Sequence, residues 1–167
     1  VIITNYEALK IAMSKSMTLK VAKQLNIPIP FTTIPETTEE LKNLMDYIKY
    51  PVILKLQEEH GIPPSRRYKI VYNRQELLHA YRELYKLKNK PPLLQEYIQG
   101  TGLGVFMIFN KYSELLAWII HQRILENPPT GGPSAICQTA YHGKALLYAY
   151  KLLKKLSWCG PVMVEFR

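Results

Sequence analysis

After Pro91-Pro92 the chain reads as four strand segments in succession before the next helix, and this run constrains the fold more than any other feature. Leu93–Ile98, Val105–Asn110, Glu114–Leu125 and Ala135–Ala140 are each dominated by apolar and β-favouring residues. Gly100, Gly102 and Gly104, the turn Asn110–Ser113 and the loop Asn127–Ser134 separate them. A doubly wound parallel sheet would require a helix after each strand, so this half of the chain is expected to form a largely antiparallel sheet. A helix over about Gly143–Leu156 and a last strand over Pro161–Arg167 complete it.

The first half interleaves helices and strands. Leu9, Ala12, Leu19 and Ala22 recur near the helical period and predict one helix over about Tyr6–Leu25. Ile27-Pro28-Ile29-Pro30-Phe31 ends it, because proline fixes its own φ and turns the preceding residue away from helix. Thr37 with Glu40 and Asn73 with Glu76 are helix-start signatures, for a short helix to about Ile48 and a longer one to about Lys88. Between them, Val52–Leu56 and Tyr68–Tyr72 read as strands joined by the loop Glu58–Arg67. The expected class is α+β, in two small lobes divided as residues 1–95 and 96–167.

Several function classes are excluded early. The longest uninterrupted apolar stretch, Leu115–Ile120, is far short of the ~20 residues of a membrane helix. No basic-then-apolar leader points to secretion. Cys137 and Cys159 are too few for a disulfide framework or a four-ligand zinc site, which fits a reducing cytoplasm. Lys and Arg number 22 against 13 acidic residues, a net charge of +9 that favours polyanionic partners such as a nucleotide triphosphate or nucleic acid. Many of these lysines, among them Lys86, Lys88, Lys154 and Lys155, fall late in predicted helices, where solvated cations suit the helix dipole.

Four features invite a chemical reading. Gly100-Thr101-Gly102-Leu103-Gly104 has glycines at dinucleotide-fingerprint spacing, but a strand follows it rather than the helix whose amino terminus would bind pyrophosphate. Lys55 lies inside an apolar strand, where an ammonium is costly to bury unless it meets an anion; the alternative is an edge position open to water. Glu165, in Val164-Glu165-Phe166, is a carboxylate on a strand and a possible hard-metal ligand. His121 and Arg123 alternate along one strand and therefore share a sheet face, polar cleft or wet exterior.

In order and spacing these pieces resemble the ATP-grasp superfamily, especially its carbamoyl-phosphate-synthase-like, carboxylate–amine ligase branch. The resemblance runs from Met13 to Arg167. It rests on Ser14-Lys15 before Asn26-Ile27-Pro28-Ile29-Pro30, on Tyr50-Pro51-Val52-Ile53-Leu54-Lys55, and on Leu93-Leu94-Gln95-Glu96-Tyr97-Ile98-Gln99-Gly100. It continues through His121-Gln122-Arg123 and Asn127-Pro128-Pro129-Thr130-Gly131-Gly132-Pro133-Ser134 to Gly160-Pro161-Val162-Met163-Val164-Glu165-Phe166.

The resemblance implies two α+β lobes with an ATP cleft between them. It puts Lys15 among the nucleotide-contacting positions and Lys55 on the α and β phosphates. It makes Gln95, Glu96, Tyr97 and Ile98 the adenine-reading hinge and Gly61 part of a flap over the phosphates. Arg123 becomes the catalytic cation facing the transferred phosphoryl group, with Thr130, Gly131, Gly132 and Ser134 in the loop beside it. Glu165 becomes the first magnesium ligand, and ATP with Mg2+ the cofactors. The implied reaction activates a carboxylate as an acyl phosphate, which an amine then displaces; neither substrate is identifiable from the residues. Such chemistry needs positioning and charge neutralisation rather than a side-chain nucleophile.

Two departures stand out. The flap Glu58–Arg67 has one glycine where the family is richer, and the family's second metal-binding segment would lie beyond Arg167. The chain starts at Val1 and stops inside an apolar strand, so the expectation is a piece of a longer protein that is inactive alone, truncated at its last strand. That strand, Val162–Phe166, offers an edge for a homodimer. The rival readings are a nucleotide-binding domain without catalysis and a basic nucleic-acid-binding α/β module. The second is disfavoured because aromatic and basic residues do not interleave on one strand face.

Overall fold

The computed structural model describes residues 3–58, 60–127 and 132–167. They form two compact units, one continuous (Pro30–Ile98) and one discontinuous (Val1–Ile29 with Gln99–Arg167).

The continuous unit is a four-stranded antiparallel sheet with helices on one face. Its strands are β1 (Thr32–Thr33), β2 (Val52–Lys55), β3 (Tyr68–Val71) and β4 (Leu93–Glu96), in the order β1-β4-β2-β3. Helix α3 (Thr38–Leu44) and helix α4 (Arg74–Lys88) bring Leu41, Leu77, Ala80, Tyr81 and Leu84 against Val52, Leu54, Val71 and Leu94. Because side chains alternate along a strand, Ile53 and Lys55 take the opposite face. The two predicted helix starts are confirmed as caps: Thr37 Oγ1 accepts from Glu40 N at 3.1 Å and Asn73 Oδ1 from Glu76 N at 3.0 Å. The glutamates reach back one residue further than a capping box, to Glu36 N and Tyr72 N, both at 2.8 Å.

The discontinuous unit carries the run of strands that dominates the sequence. Strands β5 (Leu103–Phe109), β6 (Leu115–Glu126), β7 (Ser134–Thr139) and β8 (Gly160–Phe166) form a second antiparallel sheet, in the order β7-β6-β5-β8. Helix α5 (Gly143–Lys155) lays Ala145, Ala149 and Leu153 on Val105, Met107, Phe109 and Ile120. The expected single helix over Tyr6–Leu25 is two, α1 (Tyr6–Met13) and α2 (Lys15–Gln24). Ser14 breaks it by taking an extended backbone (φ −110°, ψ 110°), from which its hydroxyl accepts the Met17 N–H.

The packing units differ from the expected lobes in two respects. Residues 96–98, expected in the lobe 96–167, complete the unit Pro30–Ile98, and Val1–Ile29, expected in the lobe 1–95, clusters with Gln99–Arg167. The reason is apolar: Ala8 joins the core beneath β5, and Ala22 and Ile27 pack with Leu152 of α5. No helix among the described residues is long and apolar enough to cross a membrane.

Candidate functional site

In the continuous unit, β2 sits between β3 and β4, with Ile53 opposite Gln95 and Lys55 opposite Leu93. Directly paired residues share a face, so Lys55, Gln95 and, through the β1–β4 pair, Thr32 all project from the side away from α3 and α4. Lys55 is thus neither on an edge strand nor in the core. Its ammonium donates to Gln95 Oε1 at 2.8 Å. Gln95 is 8% exposed and donates through Nε2 to Thr32 Oγ1 at 2.9 Å. Glu96 closes the end of β4: its N–H donates to Phe31 O at 2.9 Å and its carboxylate accepts from Phe31 N at 3.2 Å.

Tyr97 and Ile98 follow β4 outside regular structure, both half-buried. Gly61 lies in the loop between β2 and β3 with φ +74°, the left-handed region where glycine is favoured, and a Cβ there would meet nothing within 4 Å.

In the discontinuous unit, a row of residues crosses the sheet: Glu165 on β8, Gly104 on β5, His121 on β6 and Thr139 on β7 are successive partners. Arg123 lies two residues further along β6, on the same face, and its N–H donates to Gly102 O at 2.8 Å. Its guanidinium crosses over β5 to pair with Glu165 on the far strand. It also donates to Gly132 O at 3.0 Å and reaches Glu126 Oε1 at 3.4 Å.

The crossing of β6 side chains over β5 accounts for two of the three motif glycines. A Cβ at Gly102 would lie 2.9 Å from Arg123 Cδ and from Glu126 Oε1, and one at Gly104 would lie 2.9 Å from both ring nitrogens of His121. The glycines form a trough in which the two β6 side chains lie flat. Glu126, whose side chain is 7% exposed, anchors the group by also accepting from Arg167 at 3.1 Å.

The remaining expected positions are scattered or local. Lys15 is the first residue of α2, next to the Ser14 cap. Ser134 opens β7, and its hydroxyl donates to Ile136 O at 3.1 Å. Thr130 and Gly131 lie outside the described residues. Lys55 therefore meets Gln95, and Arg123 meets Glu165 and Gly132, each set within its own unit. Sequence reasoning missed Thr32, Glu126 and Arg167. Glu126 carried a usable signal, a carboxylate three residues after an arginine at the end of an apolar strand; Thr32 carried none.

Among the described residues, no three His, Cys, Asp or Glu side chains gather as a metal cluster. Glu165, with its side chain 55% exposed, is a hard oxygen donor. It suits a cation that takes one protein carboxylate and fills its other positions with phosphate oxygens and water, as magnesium does.

No family model matches this sequence. Among curated proteins, the carbamoyl phosphate synthase large chain of Clostridium acetobutylicum is 25% identical over 171 residues, covering 98% of this chain but 16% of that protein. Three solved structures show the same fold. The biotin carboxylase domain of Hydrogenobacter thermophilus 2-oxoglutarate carboxylase, in complex with MgADP, ADP and bicarbonate, has a TM-score of 0.75 at 19% identity, over 98% of this chain and 38% of its own. The Campylobacter jejuni biotin carboxylase gives 0.73 at 21% identity, over 96% and 38%. The Coxiella burnetii D-alanine–D-alanine ligase gives 0.74 at 17% identity, over 99% and 46%. The chain has the ATP-grasp fold. It spans less than half of each of these structures.

Proposed function

We propose that this chain carries the ATP-handling part of a ligase that activates a carboxylate as an acyl phosphate and transfers the acyl group to an amine. Lys55 carries the reading: an ammonium on the helix-free face of a central strand, fixed at 2.8 Å by a buried glutamine, in a chain with the ATP-grasp fold. A charge held this way is prepaid in orientation and ready for a phosphate oxygen.

On this reading Lys55 meets the α and β phosphates, and Lys15 adds charge for the nucleotide. Backbone groups of Gln95, Glu96, Tyr97 and Ile98 read the adenine edge, and the loop bearing Gly61 covers the phosphates. Arg123, with the loop of Thr130, Gly131, Gly132 and Ser134, faces the phosphoryl group in flight, where charge spreads over three equatorial oxygens. Glu165 holds Mg2+, which when bound neutralises phosphate charge. The carboxylate attacks the γ phosphorus, ADP leaves, and the amine displaces phosphate from the acyl phosphate. The two free thiols, Cys137 and Cys159, fit a cytoplasmic protein.

Calorimetry with ATP and magnesium tests the proposal. Charge-assisted hydrogen bonds contribute roughly 1.5–3 kcal/mol, so Lys55→Ala is expected to weaken ATP binding by one to two decades. GTP is expected to bind more weakly than ATP, because its base edge reverses donor and acceptor. Unchanged affinity in folded Lys55→Ala overturns the reading.

A further inference from the structure

We infer that Thr32 is a positioning residue for Lys55, acting through the side-chain amide of Gln95. The consequence for ligand binding rests on the nucleotide reading of Lys55; the hydrogen-bonded chain itself rests on geometry alone.

Three side chains from three strands form a chain with one allowed direction. Lysine's ammonium has donors and no acceptor, so the Gln95 atom facing it must be Oε1, at 2.8 Å. That leaves Nε2 toward Thr32 Oγ1 at 2.9 Å. The threonine hydroxyl accepts this bond because its own hydrogen goes to Pro30 O, also at 2.9 Å. The chain ends on a backbone carbonyl, which can only accept. Donor and acceptor therefore match at every link.

Gln95 is 8% exposed, so an amide left without a partner at Nε2 is costly. Replacing the threonine hydroxyl by a methyl group creates that orphan and leaves the amide held only at its Oε1 end, by Lys55. A rotated amide would turn its NH2 toward the ammonium, and two donors repel. The hydroxyl of Thr32, on a two-residue strand, thus pins the far end of the amide and, through it, where the ammonium rests.

The experiment uses three variants of the intact protein: Thr32→Val, Thr32→Ser and Gln95→Leu. The first readout is the NMR signal of the Lys55 side chain without nucleotide, assigned by its loss in Lys55→Ala. It is expected to move in Thr32→Val and to stay in place in Thr32→Ser, which keeps the hydroxyl. The second readout is ATP affinity, expected to fall about three- to tenfold in Thr32→Val and to stay within about twofold in Thr32→Ser. In the Gln95→Leu background, Thr32→Val is expected to add no further loss.

An unmoved Lys55 signal in folded Thr32→Val overturns the inference; should that variant not fold, Thr32→Ala is read the same way. A Lys55 signal that moves, in a protein whose Lys55→Ala variant binds ATP like the parent, supports the chain and overturns the nucleotide reading.

Discussion

Gly102 and Arg123 compete for the same space: a Cβ on the glycine would fall 2.9 Å from the arginine Cδ. The guanidinium can bridge from β6 across β5 to Glu165 only because the strand entry beneath it has no side chain. Gly102→Ala is therefore expected to destabilise the protein by about 1–2 kcal/mol, within the usual cost of overpacking. Urea unfolding in the Arg123→Ala background gives the check, because at least half of that cost should vanish once the overlying side chain is gone. A cost that persists in full would assign the clash to Glu126 Oε1, the other atom 2.9 Å from that Cβ.

Glu126 is the buried anchor of the same group, serving Arg123 and Arg167. Glu126→Ala takes one charged partner from Arg123, which keeps Glu165, and one from Arg167, so it is expected to cost about 3 kcal/mol. That is the low end of the usual range, because Arg167 keeps part of its hydration. Glu126→Gln should retain some of the lost stability through its remaining acceptor. Equal stability of all three proteins by chemical denaturation would rule out the anchor role.

Leu54 and Lys55 are neighbours in sequence and opposites in environment. Leu54 is fully buried against the helices, while Lys55 projects from the other face. Leu54→Ala should cost about 3–5 kcal/mol, and Lys55→Ala about 1–2 kcal/mol, for the partner lost to the buried Gln95 Oε1. Comparable losses in both variants would mean that the faces of β2 are misassigned.

Tyr81 supplies a pH dependence. Burial raises its phenol above the ordinary tyrosine value of 10.0, and its hydroxyl donates to Pro35 O at 2.7 Å. The unfolded chain ionises first as pH rises, so the contribution is fully present below about 10 and is lost through the raised folded value. Stability measured from pH 8 to 11 should fall less steeply in Tyr81→Phe than in the parent. At neutral pH the variant should be about 1 kcal/mol less stable, for the lost hydrogen bond. Parallel curves would show that Tyr81 is not the group responsible.

Much of the fold was legible because its signals are local. Four strands without a helix between them require short connections, and Thr37 and Asn73 announce their helices through side chains that satisfy backbone N–H groups. Ser14 was harder: an apolar period runs straight through it, and only its extended backbone shows the break. Strand β1 escaped notice because two threonines carry too little pattern, and pairing with β4 is what defines them. At the site, Lys55 and Arg123 were visible as charges out of place in apolar strands. Gln95 and Thr32 are fixed by cross-strand register, which no single segment encodes, whereas Glu126 lies three residues from Arg123 on the same strand.

The discontinuous unit has a consequence for the order of events during synthesis. Helices α1 and α2 leave the ribosome before the elements they pack on, for Ala22 and Ile27 find their partner in Leu152, and Ala8 packs beneath β5. The continuous unit, from Pro30 to Ile98, holds its whole sheet in one stretch of chain and can close while those helices wait. A nascent chain ending after Gln99 should accordingly protect residues 30–98 from protease while leaving residues 3–29 open to cleavage. Residues made before the continuous unit are buried after it, and until α5 emerges the apolar faces of α1 and α2 are what a chaperone would meet.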